Sequence, residues 1–262
     1  MSYENRVCCF IDILGFKEHI DETIQNSVEN TYKIAKIQNI IVFIQELIYD
    51  LDNETSKSKV VTQFSDSVVI SFRIEEKSEI ISTLVTLLYV AFECANEGFF
   101  IRGGVSYGKL IHNNSMVFGP ALNEAYYLES KKAFFPRIII NNEITSLALR
   151  YIDDSHEQPS IEKDLRRLVV KDDDGQYYIE YMSNAVAQLN SPVHHLPEYM
   201  NNLRKFIVKG LNHKEQSVVD KYDWLKAKYN HFARPIVSKV SNQEFSYDDD
   251  FTKEQYEQIR LI

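Results

Sequence analysis

The sequence predicts an α+β domain built on a mostly antiparallel sheet with helices, plus a C-terminal helical extension. Three observations predict it. Short β-branched and apolar runs alternate with longer helical patterns, in the order β-α-α-β-β-α-β-β-α-β, as far as residue 140. Two of those runs, Lys59–Phe64 and Ser67–Arg73, are separated only by Ser65-Asp66, the spacing of a two-residue hairpin. Past Asn141 the signal weakens into a short hairpin pattern and helices.

A hairpin set between helices implies antiparallel neighbours and a ferredoxin-like layout. The chain has 262 residues, 44% hydrophobic and 26% charged, an ordinary composition for one large domain or a domain with an appendage. The expected division is a core over 1–145 and an extension over 146–262 packed on it. The net charge of −9 argues against nonspecific nucleic-acid binding, yet is compatible with a nucleotide whose charge a metal ion offsets. No apolar run reaches the roughly 18 residues of a membrane span. The N-terminus MSYENR lacks a signal-peptide pattern, so no membrane partner and a cytoplasmic location are expected. Cys8, Cys9 and Cys94 lie in apolar contexts and read as core thiols.

Val7–Ile11 reads as a buried strand ending in Asp12, and Gly15-Phe16 turns it into a short helix over Lys17–Ile24. Asn30 to Leu51 has Ile34, Ile37, Ile41, Ile44 and Ile48 at helical spacing, and 52–59 is a polar loop. After the hairpin, Glu76–Glu97 is an amphipathic helix with Gly98 as its C-terminal stop. FFIRGGVSYGKLIH (99–112) is a strand interrupted at Gly103-Gly104 and turned at Gly108. Gly119–Lys131 is a helix opened by Pro120, and Arg137–Ile140 is a strand. In the extension, Thr145–Ile152 reads as helix and Asp153–Lys163 as loop. Leu168–Lys171 and Gln176–Tyr181 form a hairpin around 172–175. Pro197–Leu211 and Lys214–His231 are helices, Pro235–Val240 a closing strand, and 247–251 a solvated charge run. His112 beside the turn Asn113-Asn114 is expected exposed, and His194-His195 is expected in a polar loop.

A lone acid ending an apolar strand is costly to bury, so it needs a cation nearby. The sheet reading brings Asp12 and Asp66 together. Two such acids with a phosphate make an oxygen-only site of the kind Mg²⁺ or Mn²⁺ prefers, and a two-metal site can activate a hydroxyl and neutralise a leaving pyrophosphate.

FIDILGF resembles the F-x-D-I-x-G-F motif of class III nucleotidyl cyclases. FSDS falls where that family carries its second metal aspartate, IRGGVSYG is similar to its R-I-G-I-H-x-G strand, and GPALNEAYYLES to its G-D-x-V-N-x-A-x-R-x-E-S helix. The resemblance implies metal-dependent cyclisation of a nucleoside triphosphate by attack of the ribose 3′-hydroxyl on the α-phosphate. It also implies a homodimer with sites at the interface. It implies Asp12, Asp66 and the Ile13 backbone as metal ligands, the amides near Gly15 and Phe16 as phosphate holders, and Asn123 as the ribose-orienting residue. The family's transition-state arginine falls at Tyr127, its purine-selecting acid at Pro120, and the adenine-reading lysine at Thr62.

Loss of the purine readers with retention of the metal acids resembles the pyrimidine cyclases of the Pycsar antiphage systems. These share the R-G-G-[IV]-S-x-G strand (Arg102–Gly108), the F-G-P-A-L-x-x-A-Y-x-L-E helix (Phe118–Glu129), P-R-I (136–138) and a K-Y-x-W-L segment (here Lys221–Leu225). That implies UTP or CTP as substrate, cUMP or cCMP as product, and a separate cyclic-nucleotide effector. A substitute for the missing arginine is expected at Lys131, at its neighbour Lys132, or at Arg102. Thr62 and Tyr127 are candidates to meet the base, and Lys59, Gln63 and Ser65 could read its edge. The rival reading is an inactive cyclase-like domain that binds nucleotide and regulates a partner.

Overall fold

The computed structural model describes residues 2–25, 27–50, 57–155, 159–184, 189, 191–244 and 250–262. The chain falls into two compact units, Met1–Ala91 with Phe100–Ile179, and Phe92–Phe99 with Glu180–Ile262.

In the first unit, β1 (Glu4–Ile13) leads through α1 (Phe16–Asp21), the small hairpin β2 (Ile24–Gln25) and β3 (Val28–Glu29), and α2 (Thr31–Asp50) to β4 (Val60–Phe64) and β5 (Ser67–Arg73). Then come α3 (Ser78–Asn96), β6 (Ile101–Asn113), β7 (Met116–Phe118), α4 (Pro120–Tyr127), a π-helical turn (Leu128–Lys132) and β8 (Ile138–Ile140). The unit closes with α5 (Asn142–Ser155), α6 (Pro159–Leu168), β9 (Val169–Lys171) and β10 (Tyr177–Ile179). The sheet order is β4-β5-β1-β6-β8-β10-β9, and every pairing is antiparallel except β6 with β8. The first four strands give the ferredoxin-like arrangement, with β1 inserted between β5 and β6. The expected boundary at 145/146 falls inside α5, and the β9–β10 hairpin continues the same sheet.

Alternation along β1 sorts its side chains. Val7, Cys9, Ile11 and Ile13 are buried on one face. The helices supply matching apolar stripes, Ile37, Ile40, Ile44 and Ile48 from α2 and Ile80, Leu84, Leu87, Leu88 and Ala91 from α3. The other face carries Arg6, Cys8, Phe10 and Asp12. There Cys8 packs in a cluster with Val69, Leu110, Ala121 and Ala125 of α4. Gly104 makes this possible. A Cβ on it would lie 2.2 Å from the Ala125 carbonyl oxygen and 2.6 Å from Leu128 Cβ, so only glycine lets α4 come this close. Ser106 Oγ then donates to the Ala121 carbonyl at 2.6 Å.

The structure corrects several local expectations. β6 is not turned at Gly108; it stays in register with β1 from Ile101 to Leu110 while Gly108 adopts φ 152. The segment expected as loop from Asp153 is helical in α5 to Ser155 and in α6 from Pro159, with 156–158 outside the described residues. Most of the loop expected at 52–59 and of the charge run at 247–251 also lies outside the described residues.

The second unit contains the last turns of α3 and three helices, α7 (Pro192–Leu211), α8 (Gln216–Ser241) and α9 (Asp250–Glu257). The Phe92 and Tyr199 rings lie 4.8 Å apart, and Gly210 lies against the Tyr222 ring, where a Cβ would be 2.3 Å away. The strand expected over Pro235–Val240 is instead the end of α8. Its β-branched run mimicked a strand, but Leu225, Tyr229 and Ala233 keep a buried helical stripe, and Pro235 sits on the exposed side. His194 and His195 lie in the first turn of α7 rather than in a loop. Among the described residues, α3 is the one helix long and apolar enough to cross a membrane, and 67% of that apolar window is buried in the protein.

Candidate active site

Strand register builds the site. Asp12 pairs with Ser67 on β5 and with Arg102 on β6, so the three side chains share one face of the sheet. Phe64 of β4 is level with Ser67 and is 81% exposed. Ser65 takes φ 56 in the two-residue turn, and half-buried Asp66 follows it, directly before Ser67. Ser67 Oγ donates to Asp12 Oδ1 at 2.9 Å.

The charges at this end do not balance. Arg102 Nη2 is 3.9 Å from Asp12 Oδ2 but 2.5 Å from Oε1 of Glu129, a buried residue of the π-helical turn. Burial pushes the Asp12 carboxyl up to about 6, opposed by the Ser67 hydrogen bond; the charges of Asp66 and Glu129 add to the rise and that of Arg102 opposes it. Burial also raises Glu129, against the pull of Arg102. Asp12 and Glu129 thus share one guanidinium, with the Asp66 charge close enough to act on Asp12.

Just past Asp12, Leu14 N–H bonds to the Phe100 carbonyl at 2.7 Å, and Gly15, at φ 70, caps α1 at Phe16. The Asp12 and Asp66 carboxylates and the Ile13 backbone carbonyl are all hard oxygen donors, which fits Mg²⁺ or Mn²⁺. Among the described residues no group of three or more His, Cys, Asp or Glu is gathered to hold a metal. The two acids therefore fit an ion whose remaining ligands are backbone, water and phosphate.

Asn123 is exposed on α4, and Tyr127, 45% exposed at its end, is not a core residue. Lys131 and Lys132 are exposed in the π-helical turn, with Lys132 Nζ 5.9 Å from the Tyr127 ring centre. The Tyr126 ring stands edge-on to Phe10, 5.5 Å away, on the Asp12 face. The structure joins Asp12, Asp66 and Arg102 into one electrostatic group. No direct bond among the described residues links Asn123, Tyr127 or Lys131 to it.

His112 is not exposed. The β6–β7 hairpin folds its ring onto the sheet, where Nδ1 lies 2.8 Å from Ser71 Oγ and Nε2 lies 2.9 Å from Thr62 Oγ1. Thr62 therefore has a partner that sequence spacing did not reveal. Sequence reasoning also passed over Ser67 and Glu129. Both stand inside the quoted motifs, as the final Ser of FSDS and the final Glu of the Phe118–Glu129 pattern.

No protein-family model matches the chain, and no curated protein matches it. Among solved structures it is similar to a bacterial light-regulated adenylyl cyclase, at 14% identity and a TM-score of 0.46, over 79% of this chain and 100% of that one. A second structure of a bacterial light-regulated adenylyl cyclase matches at 18% identity and a TM-score of 0.43, over 55% of this chain and 45% of that one. Likenesses this distant carry no argument for activity, so function must be argued from the site.

Proposed function

We propose that the protein is a nucleotidyl cyclase that converts a pyrimidine nucleoside triphosphate, UTP or CTP, into its 3′,5′-cyclic monophosphate and pyrophosphate. One observation carries the reading: Asp12, at the end of a central strand, lies beside Asp66 while the nearest guanidinium is held by Glu129. An acid pair left under-compensated at the end of a central strand is suited to a bound cation. The motifs of residues 7–131 support the same reading.

In the reaction the ribose 3′-oxygen bonds to the α-phosphorus, the bridging α–β P–O bond breaks, pyrophosphate leaves, and the hydroxyl proton passes to solvent. Bound Mn²⁺ or Mg²⁺ supplies acidity to the attacking hydroxyl and charge compensation to the leaving group. Asp12, Asp66 and the Ile13 carbonyl hold the ions, the amides at Gly15 and Phe16 meet phosphate, and Asn123 orients the ribose. Thr62 and Tyr127 border the base. Lys131 supplies the transition-state cation, with Arg102 or Lys132 as the alternative. The chain works as a homodimer with sites at the interface, for which exposed Phe64 and Tyr126 on the Asp12 face provide apolar area. A cytoplasmic enzyme of this kind feeds its product to a separate cyclic-nucleotide effector in antiphage defence.

The pairing of Arg102 with Glu129 favours one other reading, a catalytically inactive domain that binds nucleotide. Incubating the pure protein with ATP, GTP, CTP and UTP in Mn²⁺, with products read by mass, decides between them. A cyclic pyrimidine product is expected. A cyclic purine overturns the pyrimidine assignment, and bound nucleotide without product selects the inactive domain.

A further inference from the structure

Asp12 and Arg102 face each other directly across β1 and β6, the register at which opposite charges ordinarily pair. Here they stand apart. Arg102 Nη2 lies 3.9 Å from Asp12 Oδ2 and 2.5 Å from Glu129 Oε1. The difference in burial explains the choice. The Glu129 side chain is 4% exposed and that of Asp12 is 23%. A buried carboxylate without a cation costs more than one that water still reaches, so Glu129 has the stronger claim on the guanidinium. The Asp12 carboxylate is left to accept from the Ser67 hydroxyl.

Three contacts carry Glu129 to that position. Ser106 Oγ meets the Ala121 carbonyl at 2.6 Å, Gly104 lies against the Ala125 carbonyl, and Arg102 meets Glu129. Each contact is two residues back along β6 and four residues forward along α4 and the π-helical turn. Two strand residues span about 6.7 Å and four helical residues about 6 Å, so strand and helix stay in step. Ala121 and Ala125 are small and buried, which leaves Glu129 as the first long side chain on this face. The π-helical turn holds it there: Ala133 N–H bonds to the Leu128 carbonyl at 2.7 Å, and Leu128 packs with Ala133 and Ile139.

We propose that Glu129 is a positioning residue of the cation site: it holds the Arg102 guanidinium off Asp12 and so keeps that carboxylate open to a metal ion. This rests on the acid pair of the cyclase reading. An advance of about 1 Å would bring Arg102 Nη2 within hydrogen-bond distance of Asp12 Oδ2. Without Glu129, Arg102 closes on Asp12 as an ordinary cross-strand ion pair, and an incoming Mn²⁺ or Mg²⁺ must displace it. Glu129 acts through Arg102.

The test is a double-mutant cycle on Mn²⁺ affinity, with free Mn²⁺ read by electron paramagnetic resonance and no nucleotide present. It uses the full chain as wild type, Glu129→Gln, Arg102→Met and the double variant. Glu129→Gln is expected to weaken Mn²⁺ binding about tenfold. Arg102→Met is expected to change the wild-type Kd by less than about threefold, yet to tighten binding about tenfold in the Glu129→Gln background. A charge felt only through space would give Arg102→Met the same factor in both backgrounds, and a merely structural pair would lower the metal-free unfolding midpoint without this recovery. Equal factors, or a wild-type Kd in Glu129→Gln, overturn the proposal. Glu129→Asp keeps the charge and draws the carboxylate back by about 1.5 Å, so it decides if Glu129→Gln does not fold. It is expected to weaken Mn²⁺ binding about threefold, with recovery on adding Arg102→Met, and an unchanged Kd overturns the proposal. Absence of Mn²⁺ binding to wild type also overturns it, while the product assay still judges the cyclase reading. A coupled cycle in a protein that cyclises no triphosphate supports the role of Glu129 while the cyclase reading fails.

Discussion

The two ends of β1 treat charge in opposite ways on one face of the sheet. At the Arg6 end the guanidinium is sealed and satisfied. It donates to Ser71 Oγ, to Glu4 at 2.6 Å, to the Ser71 carbonyl at 3.0 Å and to the Ser58 carbonyl. Glu4 is shared with Arg73, and both arginines lower its pKa. At the Asp12 end, six residues along, one hydroxyl and a guanidinium 3.9 Å away face a carboxylate crowded by two others. A closed network of this kind fixes structure, because every buried donor and acceptor is placed. An open, same-sign cluster costs stability and persists where a ligand completes it.

Removing an acid from the open end is expected to have the largest effect. Asp66→Asn is isosteric and takes away one anionic metal donor, so kcat is expected to fall by at least about 10²–10³-fold. Its thermal midpoint without metal should stay within a few degrees of wild type. The midpoint of the wild type should rise with Mn²⁺ and that of Asp66→Asn should not. Robust turnover in Asp66→Asn would end the comparison, since the open end would then have no cation to hold.

Removing the charge from the closed end should act on stability instead. Arg6→Ala takes a charged donor from Ser71 Oγ, from the buried Ser71 carbonyl and from the half-buried Ser58 carbonyl, and is expected to cost about 3 kcal/mol by urea unfolding. The remaining folded protein should still respond to Mn²⁺. An Arg6→Ala protein as stable as wild type would show that the network is not what anchors this end.

Lys131→Ala sharpens the comparison with a smaller effect. Lys131 is exposed, so its loss should leave the unfolding midpoint unchanged. As the transition-state cation it should lower kcat by about 10- to 100-fold with little change in KM. An unchanged kcat passes the role to Arg102 or Lys132.

What could be read in advance follows the same divide. The fold was legible because β-branched runs and apolar stripes are local periods, and the acid pair was legible because a charge inside an apolar strand stands out in one dimension. The closed network was not. Arg6 and His112 are more than a hundred residues apart, and His112 beside a turn looks exposed until the β6–β7 hairpin is folded over Ser71. The Arg102–Glu129 pair was hidden for a related reason: α4 comes close enough to β6 only across Gly104, and the π-helical turn then aims Glu129 inward. Pro235, by contrast, misled because a local signal was overruled by packing at Tyr229 and Ala233.

The smallest effect is the acid response of the closed end, and its sign is fixed by His112. Its pKa is depressed in the folded protein, to about 4 from an ordinary 6.5, first by burial and then by Arg6. Between those values the unfolded chain takes up a proton that the folded chain refuses, so stability is fully present above pH 6.5 and is lost as pH falls toward 4. The loss is expected to be on the order of 2 kcal/mol. Asp12 works against it over part of the range, because its raised pKa lets the folded chain keep a proton that the unfolded chain gives up. His112→Gln keeps hydrogen-bonding groups at the position and does not titrate. Asp12 is common to both proteins, so subtracting the urea stabilities of His112→Gln from those of wild type between pH 7.5 and 4.5 isolates the His112 term. The difference should shift against wild type as pH falls. A flat difference would mean that His112 carries its ordinary charge, and that the end of β1 described as closed opens to protons.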